Sequence, residues 1–120
     1  MSAHSKISWG TMIAGAAVAA GGSIGAVARL GVFHAVHHHG RLHSHWTTLI
    51  VNILGCLALG LILGWSASRP LSETTRALLT VGICGGFTTF STYAGDALKL
   101  IQQHRTPEAA LYLTLSVLAG

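Results

Sequence analysis

Three long stretches without a charged residue constrain this chain more than any other feature. They run over Ile7–Ala28, Trp46–Ser68 and Ala77–Gly95 and contain 22, 23 and 19 residues. A helix needs about 20 residues to cross the hydrocarbon core of a bilayer, so each stretch is long enough to span a membrane. A fourth, shorter apolar run, Ala109–Gly120, follows Pro107, a residue tolerated at a helix start, and we count it as a membrane helix too.

The composition agrees with a membrane protein. Only 8% of the 120 residues are charged, whereas a soluble domain carries roughly 25%. The net charge of +4 comes from scattered basic residues, and nucleic-acid binding needs a clustered basic patch. No Ser-His-Asp, P-loop or paired-carboxylate pattern occurs. We therefore predict an all-α integral membrane protein, a single four-helix domain over residues 1–120 that is not an enzyme and binds no nucleic acid.

The basic residues indicate how the chain inserts. The predicted connections cover residues 36–45, 69–76 and 102–106. Three basic residues fall on each side of the membrane: Lys6, Arg69 and Arg76 on one, Arg41, Lys99 and Arg105 on the other. Counting Arg29, which lies deeper, makes the tally four to three, so the bias is close to nil. Without a charge bias a chain can insert in both orientations. We expect dual topology and an antiparallel homodimer, because four short helices do not easily surround a hydrophilic path.

The densest polar group lies in the third helix, over residues 82–93, which hold three glycines, four Ser or Thr residues and three aromatics. Gly85-Gly86 followed by Thr88-Thr89 is poor helix material, so we predict a break near the middle of this helix. Broken membrane helices characteristically form ion sites. The alternative is a kinked helix whose hydroxyls bond back to its own backbone.

Polar residues in the other spans are further candidates, since such residues are costly in a membrane and suggest function. Asn52 follows Thr48 by four residues on one helix face, and either binds an ion or joins helices. Arg29 snorkels, holds a loop or attracts an anion. Tyr112 and Ser116 share one face of the last helix, where an interfacial tyrosine is the alternative.

The spans contain hydroxyls, an amide, an arginine and aromatic ring edges, whereas acids are missing from the first, second and fourth apolar runs. Ring edges carry the positive part of the aromatic quadrupole, so this inventory suits a small anion. The segment 34–45 holds six histidines, and we interpret it as a solvated loop that binds Zn²⁺ or Ni²⁺ only adventitiously.

Small-xxx-small spacings occur at Gly21/Gly25, Gly60/Gly64 and Gly82/Gly86, and such pairs let helices approach closely. Each pair serves either packing within the chain or a dimer face.

Three segments resemble the signatures of the Fluc (CrcB) family of fluoride channels. They are residues 22–29 (GSIGAVAR), 51–55 (VNILG) and 85–93 (GGFTTFSTY), and their order and spacing match over nearly the whole chain. The resemblance implies an antiparallel homodimer of four-helix subunits in the inner (plasma) membrane. Two pores, each using parts of both subunits, would let fluoride leave the cell passively and confer fluoride resistance.

The resemblance also implies residue roles. Phe90 and Tyr93 would form the box whose ring edges face fluoride, although phenylalanine is common in the family at the second position. Asn52 would be the conduction-path amide, and Gly85 and Thr88 would bind a structural Na⁺ at the dimer interface through backbone carbonyls. The remaining pathway residues would be Thr48, Ser91, Thr92, Tyr112, Ser116 and Arg29.

The main alternative is a small dual-topology multidrug-type exporter that exchanges organic cations for protons. It shares the length, helix count and charge balance, but it calls for a carboxylate in the first helix, and Ile7–Ala28 has none. A non-transporting assembly partner would leave the polar group of the third helix without a role, and a metal-handling protein would depend on the histidines.

Overall fold

The computed structural model describes residues 6–40 and 42–120, and these form helices and connections with no strand among them. Helix α1 spans Trp9–His38 and helix α2 spans Ser44–Ser68. The Ser8 hydroxyl caps α1 by accepting a hydrogen bond from the Thr11 amide. The predicted all-helical fold is confirmed for the described residues, whereas Arg41, which entered the charge comparison, lies outside them.

The third apolar run is not one regular helix. It consists of α3 (Glu73–Ala77), a π-helical segment (Leu78–Cys84), α4 (Gly85–Phe87) and α5 (Phe90–Gln102). Between α4 and α5, Thr88 and Thr89 are extended, with ψ angles of 157° and 118°. The predicted break is therefore confirmed. It falls on the two threonines, while the glycines before them remain helical.

The last helix, α6, spans Thr106–Ala119 and has 14 residues, with Pro107 in its first turn as predicted. At 1.5 Å per residue it is about 21 Å long. Three helical stretches are long and apolar enough to cross a membrane: Trp9–His38, Ser44–Ser68 and Glu73–Gln102. They make the chain a multi-pass membrane protein, and α6 is shorter than a full span.

Glycines bring α1 against the third span. A Cβ atom added at Gly21 would lie 2.6 Å from the Leu78 carbonyl oxygen, and one added at Gly86 would lie 2.5 Å from the Gly22 carbonyl oxygen. Real Cβ atoms do not approach backbone this closely, so these positions require glycine. Gly25 is equally crowded, by the backbone of the third span.

The small-residue pairs therefore divide into two kinds. The pair Gly21/Gly25 on α1 and the pair Gly82/Gly86 in the third span pack within the chain, because α1 and the third span contact each other at these glycines. A Cβ atom added at Gly60 or Gly64 on α2 would have no atom within 4 Å, so these two glycines do not serve this packing. The small apolar core lies elsewhere, between α2, α5 and α6, and consists of Leu49, Ala97, Leu100, Ala109 and Tyr112.

The interpretation of residues 34–45 as a loop is wrong at both ends of the segment. Helix α1 continues through His34 to His38, because neither Arg29 nor the histidines after it stop a helix. It ends where Gly40 adopts a positive φ of 62° and donates its amide to the His37 carbonyl. At the other end of the segment, His45 already belongs to α2 and is buried.

Candidate functional site

The break in the third span is held by the side chain of Asn52 on α2. The Thr89 amide donates to Asn52 Oδ1 at 2.8 Å, and Asn52 Nδ2 donates to the Thr89 carbonyl oxygen at 3.1 Å. An unpaired backbone group in a membrane costs several kcal/mol, so this double contact makes the break tolerable. One N–H of the amide remains for another acceptor.

Arg29 holds the same break from α1. Its Nη1 donates to the Thr88 carbonyl oxygen at 3.0 Å, and the side chain is partly buried. Of the roles open to Arg29, the structure supports attachment to neighbouring backbone: the guanidinium caps a broken helix. The guanidinium also keeps its positive charge next to the polar residues of the third span.

The carbonyls predicted to bind Na⁺ differ in their surroundings. In a continuous helix the Thr89 amide would donate to the Gly85 carbonyl, but here it donates to Asn52, so the Gly85 oxygen is free of that bond. The Thr88 oxygen accepts from the Arg29 guanidinium. Carbonyl oxygens suit a hard cation. The Gly85 oxygen therefore fits the ion, whereas Thr88 would have to share its oxygen with a second positive charge.

Thr89 organises the hydroxyls that follow the break. Its Oγ1 accepts from the Thr92 amide at 3.2 Å and thereby caps α5. The same oxygen lies 3.1 Å from the hydroxyls of both Ser91 and Thr92. Ser91 is exposed and Thr92 is half-buried. These two candidates thus meet around the cap of α5 and do not converge on Asn52.

A row of aromatic rings leads from the break to the start of α2. Ring centroids are 5.4 Å apart for Phe90 and Tyr93, 5.5 Å for Tyr93 and Tyr112, and 5.5 Å for Tyr112 and His45. None of these pairs is a parallel stack, with interplanar angles of 45°, 49° and 76°. Tilted and edge-to-face arrangements are the usual geometry of aromatic pairs, and ring edges carry the positive part of the quadrupole.

Some buried hydroxyls have no hydrogen-bond partner, and one of them is on a ring of this row. Among the described residues, the unpaired oxygens are those of Thr47, Tyr112 and Ser116. The Tyr112 hydroxyl lies near Thr48 but meets no group in hydrogen-bond geometry. A buried polar atom left unpaired costs about 1–3 kcal/mol, so these hydroxyls are suited to a ligand that enters from outside the fold.

A groove of about 430 Å³ connects the predicted residues. Its lining includes Asn52, Thr88, Phe90, Tyr93 and Ser116. Phe90 is 78% exposed, although it begins a helix in the middle of an apolar span. The groove therefore brings together four of the nine predicted pathway residues, and it is open along one side of the single chain.

A second polar group, which we call the His45 cluster, lies at the other end of the ring row. It consists of His45, Thr48, Asp96, Arg105, Glu108 and Tyr112. Thr48 Oγ1 donates to Asp96 Oδ2 at 2.7 Å, and His45 Nε2 lies 2.9 Å from Glu108 Oε1. Glu108 also pairs with Arg105. Burial opposes the ionisation of Glu108, but Arg105 and then His45 hold its pKa below the usual range.

Sequence reasoning gave no site role to four members of this cluster, and one of them, Arg105, entered only the charge comparison. Asp96 marks the end of the third apolar run in the sequence, yet it is 5% exposed and bonded to Thr48. His45 falls in the predicted loop, and Glu108 at the flank of the last apolar run. The spacing His45–Thr48 on α2 places both on one helix face, which was the available signal. The pairing with α5 and α6 depends on long-range packing.

These features define a class: a multi-pass helical membrane protein whose third span is broken and whose polar groups are suited to a small ion. Residues 16–120 match the family model described as CrcB-like protein, Camphor Resistance (CrcB). The chain belongs to this family.

Curated relatives cover most of the chain. "Fluoride-specific ion channel FluC 1" of Nitrobacter hamburgensis is 46% identical over 105 residues, 84% of this chain and 81% of that protein. The "Fluoride-specific ion channel FluC" of Idiomarina loihiensis is 43% identical over 101 residues, covering 84% and 78%. The protein of that name from Novosphingobium aromaticivorans is 42% identical over 118 residues, covering 91% and 88%. No solved structure matches the chain.

Proposed function

We propose that this chain is a fluoride-specific ion channel that lets fluoride leave the cell passively across the inner (plasma) membrane. The observation that carries the proposal is the row of tilted aromatic rings that includes Tyr112, whose buried hydroxyl has no hydrogen-bond partner. The name shared by relatives at 42–46% identity supports fluoride as the ion. An inside-negative potential favours expulsion of each charge by about 2.3 kcal/mol per 100 mV.

The pathway would start at the groove and follow the rings. Asn52 offers its remaining N–H, Phe90 and Tyr93 offer ring edges, and Ser116 and Tyr112 offer unpaired hydroxyls. Hydrogen-bond donors replace the water that the ion loses, and a narrow path of this kind favours the smaller anion over chloride.

The other predicted residues would act indirectly. Arg29 supplies positive potential while it holds the Thr88 carbonyl. Thr48 commits its proton to Asp96, and Ser91 and Thr92 surround the cap of α5.

A second copy of the chain would complete each pore. Non-helical backbone at membrane depth is tolerated only where protein or water covers it, and the groove leaves Thr88 and the exposed Phe90 ring uncovered. The balanced basic residues favour an antiparallel arrangement. We infer one four-helix membrane domain per subunit over residues 1–120, with α6 as the short fourth helix, and two pores per dimer.

A structural Na⁺ would lie at the interface between the two copies. The Gly85 carbonyls would hold it, with Thr88 sharing its oxygen between the ion and Arg29. The ion would neutralise carbonyl dipoles that the break exposes.

The test is fluoride efflux from liposomes that contain the purified protein, with valinomycin to clamp the voltage and chloride efflux as the internal comparison. We expect rapid release of fluoride and little release of chloride. A folded protein that releases neither ion would contradict the channel function. The alternative, a multidrug-type exporter, predicts instead that a proton gradient drives the uptake of organic cations into the same liposomes.

A further inference from the structure

His45 occupies a different environment from the histidines near it in sequence. It is 5% exposed, whereas His43, two residues earlier, is exposed. Its ring lies 4.9 Å from Trp46 and 5.5 Å from Tyr112, measured between centroids. The proposed pathway reaches Tyr112 but assigns no role to this imidazole.

The contact with Glu108 fixes how the imidazole is protonated. An ionised carboxylate only accepts hydrogen bonds, and Glu108 remains ionised above its lowered pKa. At 2.9 Å, Nε2 of His45 must therefore carry a hydrogen and donate it. Gaining a second proton, at Nδ1, adds a positive charge and leaves this hydrogen bond in place. Protonation thus changes the charge beside Tyr112 without releasing the ring.

Charged and titratable groups face His45 from each element that packs near it. They are Glu108, Arg105 and Tyr112 on α6, Asp96 on α5 through its bond to Thr48, and His43 before α2, whose ring centroid is 5.8 Å away. Glu108 and Arg105 neutralise each other. The Asp96 carboxylate, which is close enough to interact electrostatically with the Tyr112 phenol, is then left unbalanced while His45 is neutral.

An anion that reaches Tyr112 meets this excess negative charge. Histidine is the side chain that ordinarily changes charge between pH 5 and 8. When His45 becomes an imidazolium, its charge offsets that of Asp96, and the region around Tyr112 becomes neutral overall.

We propose that His45 is a positioning residue that holds Tyr112 and makes fluoride conduction increase as the pH falls from 8 to 5.5. The proposal rests on the fluoride pathway proposed above. It adds a residue to that pathway and gives the channel a response to acid.

The experiment measures fluoride efflux from liposomes at equal pH on both sides, in steps from 5.5 to 8, with protein-free liposomes to subtract leakage of hydrofluoric acid. The wild-type rate is expected to rise about three- to tenfold toward pH 5.5. In His45→Gln, the glutamine amide still reaches Glu108 as a neutral donor, and the rate is expected to be independent of pH.

Two further variants separate charge from structure. His43→Gln removes the neighbouring exposed imidazole and is expected to keep the wild-type pH profile. Glu108→Gln removes the negative partner of His45, so the midpoint of the profile is expected to move down by about one pH unit. A residue that only packed against Tyr112 would not shift this midpoint.

A flat wild-type profile with clear fluoride efflux would overturn the role of His45 and leave the channel function intact. The same holds if His45→Gln is folded and retains the wild-type pH dependence. Absence of fluoride efflux at every pH would instead contradict the proposed function itself. Should His45→Gln fail to fold, the wild-type profile and the Glu108→Gln midpoint still decide the matter.

Discussion

Phe90 packs little against the rest of the single chain. The residue is 78% exposed beside the groove, and its ring is tilted by 45° against that of Tyr93. At membrane depth this ring is left to contact lipid, an ion or a second protein chain. In the proposed pore, that contact is the ion and the second subunit.

Phe90→Ile is therefore expected to reduce fluoride efflux to the level of protein-free liposomes, because isoleucine has no electropositive ring edge. The elution volume of the purified protein should be unchanged. Phe33→Ile is a matched control, since Phe33 lies near the end of α1 and stacks on His37, away from the groove. Undiminished efflux in Phe90→Ile would remove the ring-edge mechanism.

Asn52→Asp tests the amide at the break. Asparagine donates to the Thr89 carbonyl and accepts from the Thr89 amide. Aspartate keeps the acceptor but loses the donor, so two oxygens face each other and a negative charge enters the anion path. We expect loss of fluoride efflux and a loss of stability of about 1–3 kcal/mol, measured by thermal unfolding in detergent. Gln103→Glu makes the same amide-to-carboxylate change at an exposed position, and it should reduce neither fluoride efflux nor stability.

At the scale of helices, the packing of α1 on the third span depends on glycines whose neighbours are backbone atoms. Gly21→Ala would place a Cβ 2.6 Å from the Leu78 carbonyl oxygen and force the two helices apart. We expect a loss of about 1–3 kcal/mol in stability. Gly22→Ala has nothing within 4 Å of the new Cβ and should be neutral or slightly stabilising. Equal unfolding temperatures for the two variants would contradict this dependence on glycine.

The elements themselves were largely predictable from the sequence, and their ends were not. Absence of charge located the three spans, because burial in lipid is what excludes charged side chains. It failed for the end of α1, since Arg29 interrupts an uncharged run without interrupting a helix; the helix stops at Gly40, where a left-handed residue is required. His-Gly at 39–40 was the signal for that end.

The site was predictable in its residue types and less so in its contacts. Glycines and β-branched threonines predicted a weak point in the third span. They did not indicate that Asn52 and Arg29, from two other helices, would cap Thr89 and Thr88. Those contacts join residues 37 and 59 positions apart, and only the packed arrangement of three helices brings them together.

At the scale of the whole molecule, dual topology makes a direct prediction. The experiment uses a background in which Cys56 and Cys84 are replaced by alanine. His43→Cys then places a single cysteine at an exposed position in the connection between α1 and α2. An impermeant thiol reagent should label about half of the molecules from outside sealed vesicles and the rest only after lysis, because basic residues are balanced on the two sides.

Ser72→Cys, in the connection on the opposite side of α2, is the matched variant and should give the same division. A single inserted orientation would give opposite results for the two positions, with one fully labelled from outside and the other protected. That outcome would contradict the antiparallel dimer.

The caps of the break also bear on how the chain is made. Ribosomes release helices in order, and the third span arrives after both residues that complete its backbone, Arg29 on the first helix and Asn52 on the second. Bare carbonyls and amides are costly in lipid, so this segment has reason to remain beside its two predecessors as it leaves the insertion machinery. Both partners of the third span thus precede it along the chain, so they are already in the membrane when the third span inserts.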